Sequence, residues 1–214
     1  MNFKNVLIFG DSYSTFKGLI PEGYAAYYSN ETHIESEVDT ADKTWWMQLI
    51  NETESNLVLN NSWSGSTIGY TGYNGNDCSH TSSFIYRLRT LKEQGFFEKN
   101  EINSVFVFGG TNDSWSNAPL GELKFSDWEE NDLYSVLPAI PYFLKTLKET
   151  LPKADIYCLI NTEIKSEIIE GLNAASEKIG VKAVKFEYID KIGGHPTHKG
   201  MTDIKEQILK AVNN

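Results

Sequence analysis

Ser12 stands in Gly10-Asp11-Ser12, directly after the apolar run Val6-Leu7-Ile8-Phe9, where a strand would hand over to its loop. A serine hydroxyl is a poor nucleophile until a base takes its proton. Three segments far along the chain hold what such a serine needs. Asn61-Ser62-Trp63-Ser64-Gly65 offers a glycine, which lets the backbone approach a ligand and turn its N–H inward. Gly109-Gly110-Thr111-Asn112-Asp113 offers the Asn112 amide, a donor for a developing oxyanion that transfers no proton. Gly193-Gly194-His195-Pro196 offers an imidazole, whose ordinary pKa lies near operating pH. Singly, each segment reads more simply as a turn, because Asp, Ser, Gly and Asn all favour turns. The four in this order point to acyl transfer.

The other histidines carry less. His33 and His80 lie in polar loops and read as bland, and His198 competes with His195 but lacks its flanking pattern. The Cys and His spacings suggest no zinc site, and the chemistry calls for no cofactor. Cys158, in the run Ile156-Tyr157-Cys158-Leu159-Ile160, reads as a buried inert thiol, and Cys78 as a loop residue.

Elements must hold these groups together. Five runs rich in β-branched and aromatic residues, at 5–9, 56–60, 104–108, 155–160 and 182–188, suit strands covered on both faces. Helical patterns lie between them at 42–50, 83–91, 142–151, 163–179 and 200–212. Asp42 suits the first N-cap, Pro152 follows the third helix, and Gly180 suits an αL stop after the fourth. Strands alternating with helices predict right-handed βαβ crossovers and a parallel sheet between two helical layers. With no repeat or linker, residues 1–214 read as one domain. Three long insertions, 18–41, 67–80 and 114–132, follow candidate strand ends, the edge where open α/β sheets bind ligands.

The bulk numbers exclude other classes. Nineteen Lys and Arg against 29 Asp and Glu leave a formal net charge of −10, unsuited to nucleic acid or to an anionic membrane surface. No apolar stretch approaches membrane-spanning length, and the N-terminus lacks a signal-peptide pattern. The chain reads as cytoplasmic, or as secreted if a leader has been removed.

The combined pattern resembles the SGNH (GDSL) hydrolases. The resemblance rests on Gly10-Asp11-Ser12, on Gly65, on Gly110-Thr111-Asn112-Asp113 and on His195-Pro196-Thr197, and it spans nearly the whole chain. It implies an ester hydrolase with Ser12 as nucleophile and His195 as base. It also implies an oxyanion hole of the Ser12 and Gly65 N–H groups with the Asn112 side chain. The implied fold is a flavodoxin-like three-layer α/β/α sandwich on a parallel sheet of about five strands, in agreement with the strand–helix reading.

One position departs from the pattern. The family places an aspartate three residues before the histidine, and Ile192 stands there. Asp190 is the nearest acid, and Gly193-Gly194 leave the chain free to loop so that it reaches the imidazole. Equally, a backbone carbonyl can hold the ring in a Ser–His dyad, since the third group only orients. Glu187 is a weaker candidate.

For substrate, Tyr24, Tyr27, Tyr28, Trp63, Tyr70, Tyr73 and Trp115 crowd the loops around the candidate site, with Asp11, Trp63 and Trp115 as substrate contacts. Aromatic rings among Asn and Ser suit a sugar, though they also serve simply to pack long loops. The expectation is a small-molecule or glycan ester with a short acyl group, acetyl for choice. Related activities in the family are lysophospholipase and thioesterase. Two non-catalytic readings remain: a glycan binder, and a flavin binder holding phosphate with Ser12-Tyr13-Ser14-Thr15.

Overall fold

The structure, a computed structural model, describes residues 2–213. Five strands, β1 (Asn5–Gly10), β2 (Asn56–Ser62), β3 (Ser104–Phe108), β4 (Asp155–Ile160) and β5 (Lys182–Lys185), pair in parallel in the order β2-β1-β3-β4-β5. This is the flavodoxin-like order, whose direction of winding reverses between β1 and β3 and opens a crevice at their carboxyl ends.

Successive side chains on a strand point to opposite faces, so each apolar run feeds two cores. Leu7, Phe9, Val105, Val107, Ile156 and Cys158 join one cluster, while Val6, Ile8, Phe106, Phe108, Tyr157 and Leu159 join the other. The helices are α1 (Trp45–Glu52), α2 (Phe84–Glu93), α3 (Phe96–Lys99), α4 (Thr111–Trp115), α5 (Val136–Thr150), α6 (Ser166–Ile179) and α7 (His198–Asn213). Phe84 and Leu88 of α2, Phe143 and Leu147 of α5, and Ile168 and Leu172 of α6 pack on the first face. Trp45 and Leu49 of α1 and Met201, Ile204 and Ile208 of α7 pack on the second. The result is the three-layer α/β/α arrangement.

Gly180 closes α6 in the left-handed region at φ 76°, as an αL stop requires. Elsewhere the boundaries move. Thr44, not Asp42, caps α1, its hydroxyl accepting from the Met47 N–H, because Asp42 is taken up in a short turn over Ala41–Lys43. Helix α5 starts at Val136, well before 142. Pro138 costs nothing in the first turn, whose N–H groups lack helical partners, and Pro141 forfeits one ladder bond inside a well-packed helix. Strand β5 ends at Lys185 rather than 188.

A two-stranded antiparallel hairpin follows, β6 (Lys191–Ile192) and β7 (His195–Pro196), with Ile192 opposite His195. Its turn is Gly193-Gly194 at φ 54° and 80°. Two consecutive positive φ angles are what a two-residue type I′ turn demands. Among the described residues no helix is long and apolar enough to cross a membrane.

Candidate active site

Ser12 opens a 3-10 turn at the end of β1, capped by Asp11, whose carboxylate accepts from the Tyr13 N–H at 3.0 Å. The Ser12 side chain is nearly buried, and its Oγ lies 3.0 Å from His195 Nε2. Two residues 183 positions apart are thus brought into hydrogen-bond contact at the crevice between β1 and β3.

Gly65 follows β2 at φ +80°, a conformation that suits glycine, and the space where a side chain would project is open. Among the described residues its N–H donates to no other protein group. Asn112, after β3, is buried in the first turn of α4. Its Nδ2 donates to the Ser66 carbonyl at 3.0 Å and its Oδ1 accepts from the Tyr73 hydroxyl at 2.9 Å. Those two bonds fix the amide and leave its second N–H available. Asp113 beneath it accepts from the Ile68 and Gly69 N–H groups, binding the loop after β2 to the loop after β3.

His195 is held through its hairpin. The Tyr13 hydroxyl donates to the Gly194 carbonyl, and the Tyr28 hydroxyl to the Pro196 carbonyl at 2.7 Å. The buried ammonium of Lys191 bonds Thr162 Oγ1 at 2.8 Å and Glu163 Oε2 at 3.0 Å, and it stands 5.7 Å from the centre of the Tyr13 ring. The imidazole is stacked on Tyr27, with centroids 3.6 Å apart and planes 6° apart, and it meets Trp115 edge-on at 5.5 Å. Burial, with smaller contributions from His33 and Lys191, lowers the imidazole pKa to about 4. At neutral pH the ring is uncharged and able to accept a proton.

The acid candidates do not meet the imidazole. Asp190 spends its carboxylate on the Thr197 hydroxyl, while its N–H donates to Asp203 Oδ2 at 3.2 Å and its carbonyl accepts from the Thr197 N–H at 3.0 Å. It fastens the base of the hairpin to the start of α7. Glu187 is exposed, its N–H donating to Gln207. His195 Nδ1 faces the Gly193 carbonyl at 3.4 Å.

Asp11, expected to face substrate, is instead fully buried under the site, and burial lifts its pKa to about 7. Tyr70 also leaves the expected set, because it is buried in the core against Tyr134. Trp115 is 39% exposed and rests on the hairpin turn, where a Cβ on Gly194 would lie 3.1 Å from its ring. Trp63 leans on Tyr24 with centroids 4.2 Å apart.

Sequence reasoning missed Arg87. It is fully buried, donating to Ser82 O at 2.9 Å, Gly10 O at 3.2 Å, Ser66 Oγ at 3.0 Å and the Asn61 carbonyl. It ties the ends of β1 and β2 to the loop that carries Gly65. The available signal is its place on the apolar stripe of α2, with Phe84, Leu88 and Leu91. His33, read as bland, stacks on the outer face of Tyr27 at 3.7 Å and 9°.

The three-layer α/β/α fold thus carries a serine–imidazole contact at the switch point of its 2-1-3-4-5 sheet. The chain belongs to the GDSL-like lipase/acylhydrolase family, whose model matches residues 4–212, and it is a carboxylic ester hydrolase. A candidate GDSL-like lipase from Bacteroides ovatus is 36% identical with a TM-score of 0.90, over 98% of each chain. Another from Bacteroides uniformis is 38% identical with a TM-score of 0.89, over 98% of this chain and 95% of that one. An acetyl xylan esterase from Butyrivibrio proteoclasticus shares the fold at 17% identity and a TM-score of 0.60, over 99% of this chain and 63% of its own. No curated protein matches the chain.

Proposed function

We propose that this hydrolase removes short acyl groups, acetyl first among them, from a carbohydrate or another small polar alcohol, through an acyl-enzyme on Ser12. The observation that carries the reading is the 3.0 Å contact between Ser12 Oγ and a neutral His195 Nε2. Gly65, whose N–H has no partner among the described residues, and the fixed Asn112 amide lie on the loops after the two neighbouring strands. His195 takes the Ser12 proton as Oγ attacks the ester carbonyl. The tetrahedral oxyanion is received by the N–H groups of Ser12 and Gly65 and by Asn112 Nδ2. The imidazolium then protonates the departing alcohol, and the same base activates the water that releases the acid. The Gly193 carbonyl is the partner left to Nδ1, so the pair works as a dyad and Asp190 serves the hairpin.

The short acyl group is supported by the tight seat of Ser12, which is nearly buried with its Oγ against His195. The polar alcohol is supported by Trp115 and Tyr73, half-exposed rings beside the pair, which suit the apolar faces and hydroxyls of a sugar. The shared fold of the acetyl xylan esterase fits the same substrate class. The phosphate-loop alternative is disfavoured, because Ser14 Oγ accepts from Trp45 Nε1 and Thr15 Oγ1 bonds Ser12 O and the Tyr27 N–H.

Hydrolysis of p-nitrophenyl acetate, butyrate and octanoate by the protein and its Ser12→Ala variant tests the reading. Acetate should be preferred, and the variant should lose at least ~10⁴-fold in kcat. Rates rising with chain length would turn the assignment to lipids, and Ser12-independent turnover would remove the nucleophile.

A further inference from the structure

Among the described residues no carboxylate bonds the His195 imidazole, and its one Nδ1 contact, to a carbonyl at 3.4 Å, is longer than an ordinary N–H···O bond. A ring tethered so loosely could turn about its bonds and carry Nε2 away from Ser12. Something else must hold its plane.

The geometry points to Tyr27 as the positioning residue for His195: its ring, backed by His33, lies flat on the imidazole and does the orienting work of the absent acid. The inference rests on the reading of Ser12 and His195 as nucleophile and base.

Three observations support it. First, the stack is close and parallel on both faces of Tyr27, at 3.6 Å and 6° to His195 and at 3.7 Å and 9° to His33. Tilting the imidazole far out of that plane would drive it into the phenol ring. Second, the backbone of Tyr27 is tied to both halves of the reacting pair. Its N–H donates to Thr15 Oγ1 at 2.8 Å, and that hydroxyl donates to the Ser12 carbonyl at 3.1 Å. The next residue, Tyr28, bridges to Phe16 and sends its hydroxyl to the Pro196 carbonyl. Nucleophile loop, ring and base hairpin therefore keep a common frame.

Third, the stack suits the charge that appears during reaction. The face of a phenol ring is electron-rich and attracts a cation placed over it. When His195 takes the Ser12 proton, the imidazolium forms against that face, so the contact strengthens as the barrier is climbed. In the resting state the same ring shields one face of the imidazole from water, which favours the neutral base. The other charged or titratable groups around His195 are Lys191, Tyr13 and His33 with Glu35 at 3.5 Å.

Tyr27→Phe keeps the ring, and Tyr27→Leu removes it. Expected for Tyr27→Phe is kcat within about twofold of the parent, since only the hydroxyl is lost. Expected for Tyr27→Leu is a fall in kcat of about 10- to 100-fold with little change in KM, because a misaligned base weakens the chemical step and not binding. In NMR, the His195 ring resonances, assigned with His195→Gln, should lie upfield in the parent from the shielding of Tyr27 and move downfield in Tyr27→Leu. Full turnover in Tyr27→Leu overturns the inference. Should that variant not fold, the parent spectrum decides: cross-peaks between the Tyr27 and His195 rings support the stack, and their absence refutes it. Loss of all ester turnover in the parent would instead defeat the reading of Ser12, while the spectrum would still report on the stack.

Discussion

At the scale of single residues, the proposed base is an imidazole kept neutral by its surroundings. A lowered histidine pKa means that the free protein holds its base ready down to unusually acid pH. The acid limb of kcat/KM should therefore fall near pH 4 and not near 6.5, measured on p-nitrophenyl acetate in buffers of constant ionic strength. A limb near 6.5 would show the imidazole to be solvated. Asp190 illustrates how a residue chosen by proximity in sequence can take other work. Five positions from His195, it closes the hairpin through Thr197, and the glycines between them are spent on the turn itself.

At the scale of elements, the hairpin decides which side chains can reach the imidazole. Ile192 and His195 are directly opposed across β6 and β7, and opposed side chains in an antiparallel pair stand on the same face about 5 Å apart. An acid at 192 would thus stand beside the ring, as the spacing in related chains requires. Ile192→Asp should raise the His195 pKa by ~1–3 units, because a neighbouring carboxylate favours the imidazolium. The acid limb of the rate profile would move up with it, and an unmoved limb would show that the two side chains diverge. This hairpin was not legible in the sequence, since two-residue strands have too few positions to show alternation. The five long strands and the flanking helices were legible, because their apolar periodicities differ and each runs for a turn or more. The start of α5 was not, because a proline inside a helix ordinarily marks a boundary, and packing overrides it at Pro141.

At the scale of the whole molecule, the order of motifs along the chain was enough to bring Ser12, Gly65 and Asn112 to one edge of the sheet, since all three follow strands β1 to β3. What stayed hidden lies in long-range contacts between irregular segments: the Tyr27 stack, the two tyrosine hydroxyls on the hairpin, and Arg87 under the crevice. Only Arg87 has a local signal, its place on the apolar stripe of α2, and the other contacts have no local pattern to betray them. The buried charges also set how global stability responds to pH. Asp11 keeps its proton up to about pH 7 when folded but releases it near 3.8 when unfolded. The native state then binds more protons across that window, so this group's contribution is present at low pH and is lost as pH rises through 7. Asp11→Asn, which stays neutral, should gain in Tm relative to the parent between pH 5 and pH 8, followed by thermal melts. A constant difference across that range would mean that the carboxyl is ionised throughout.

The four groups at the crevice are drawn from positions 12, 65, 112 and 195 in turn. Synthesis therefore delivers the proposed nucleophile well before its proposed base. Until position 195 has been added the emerging polypeptide carries Ser12 without its imidazole partner, and the proposed pair forms only when β7 docks against the loop after β1. A product terminated before position 195 would carry the proposed nucleophile without its proposed base.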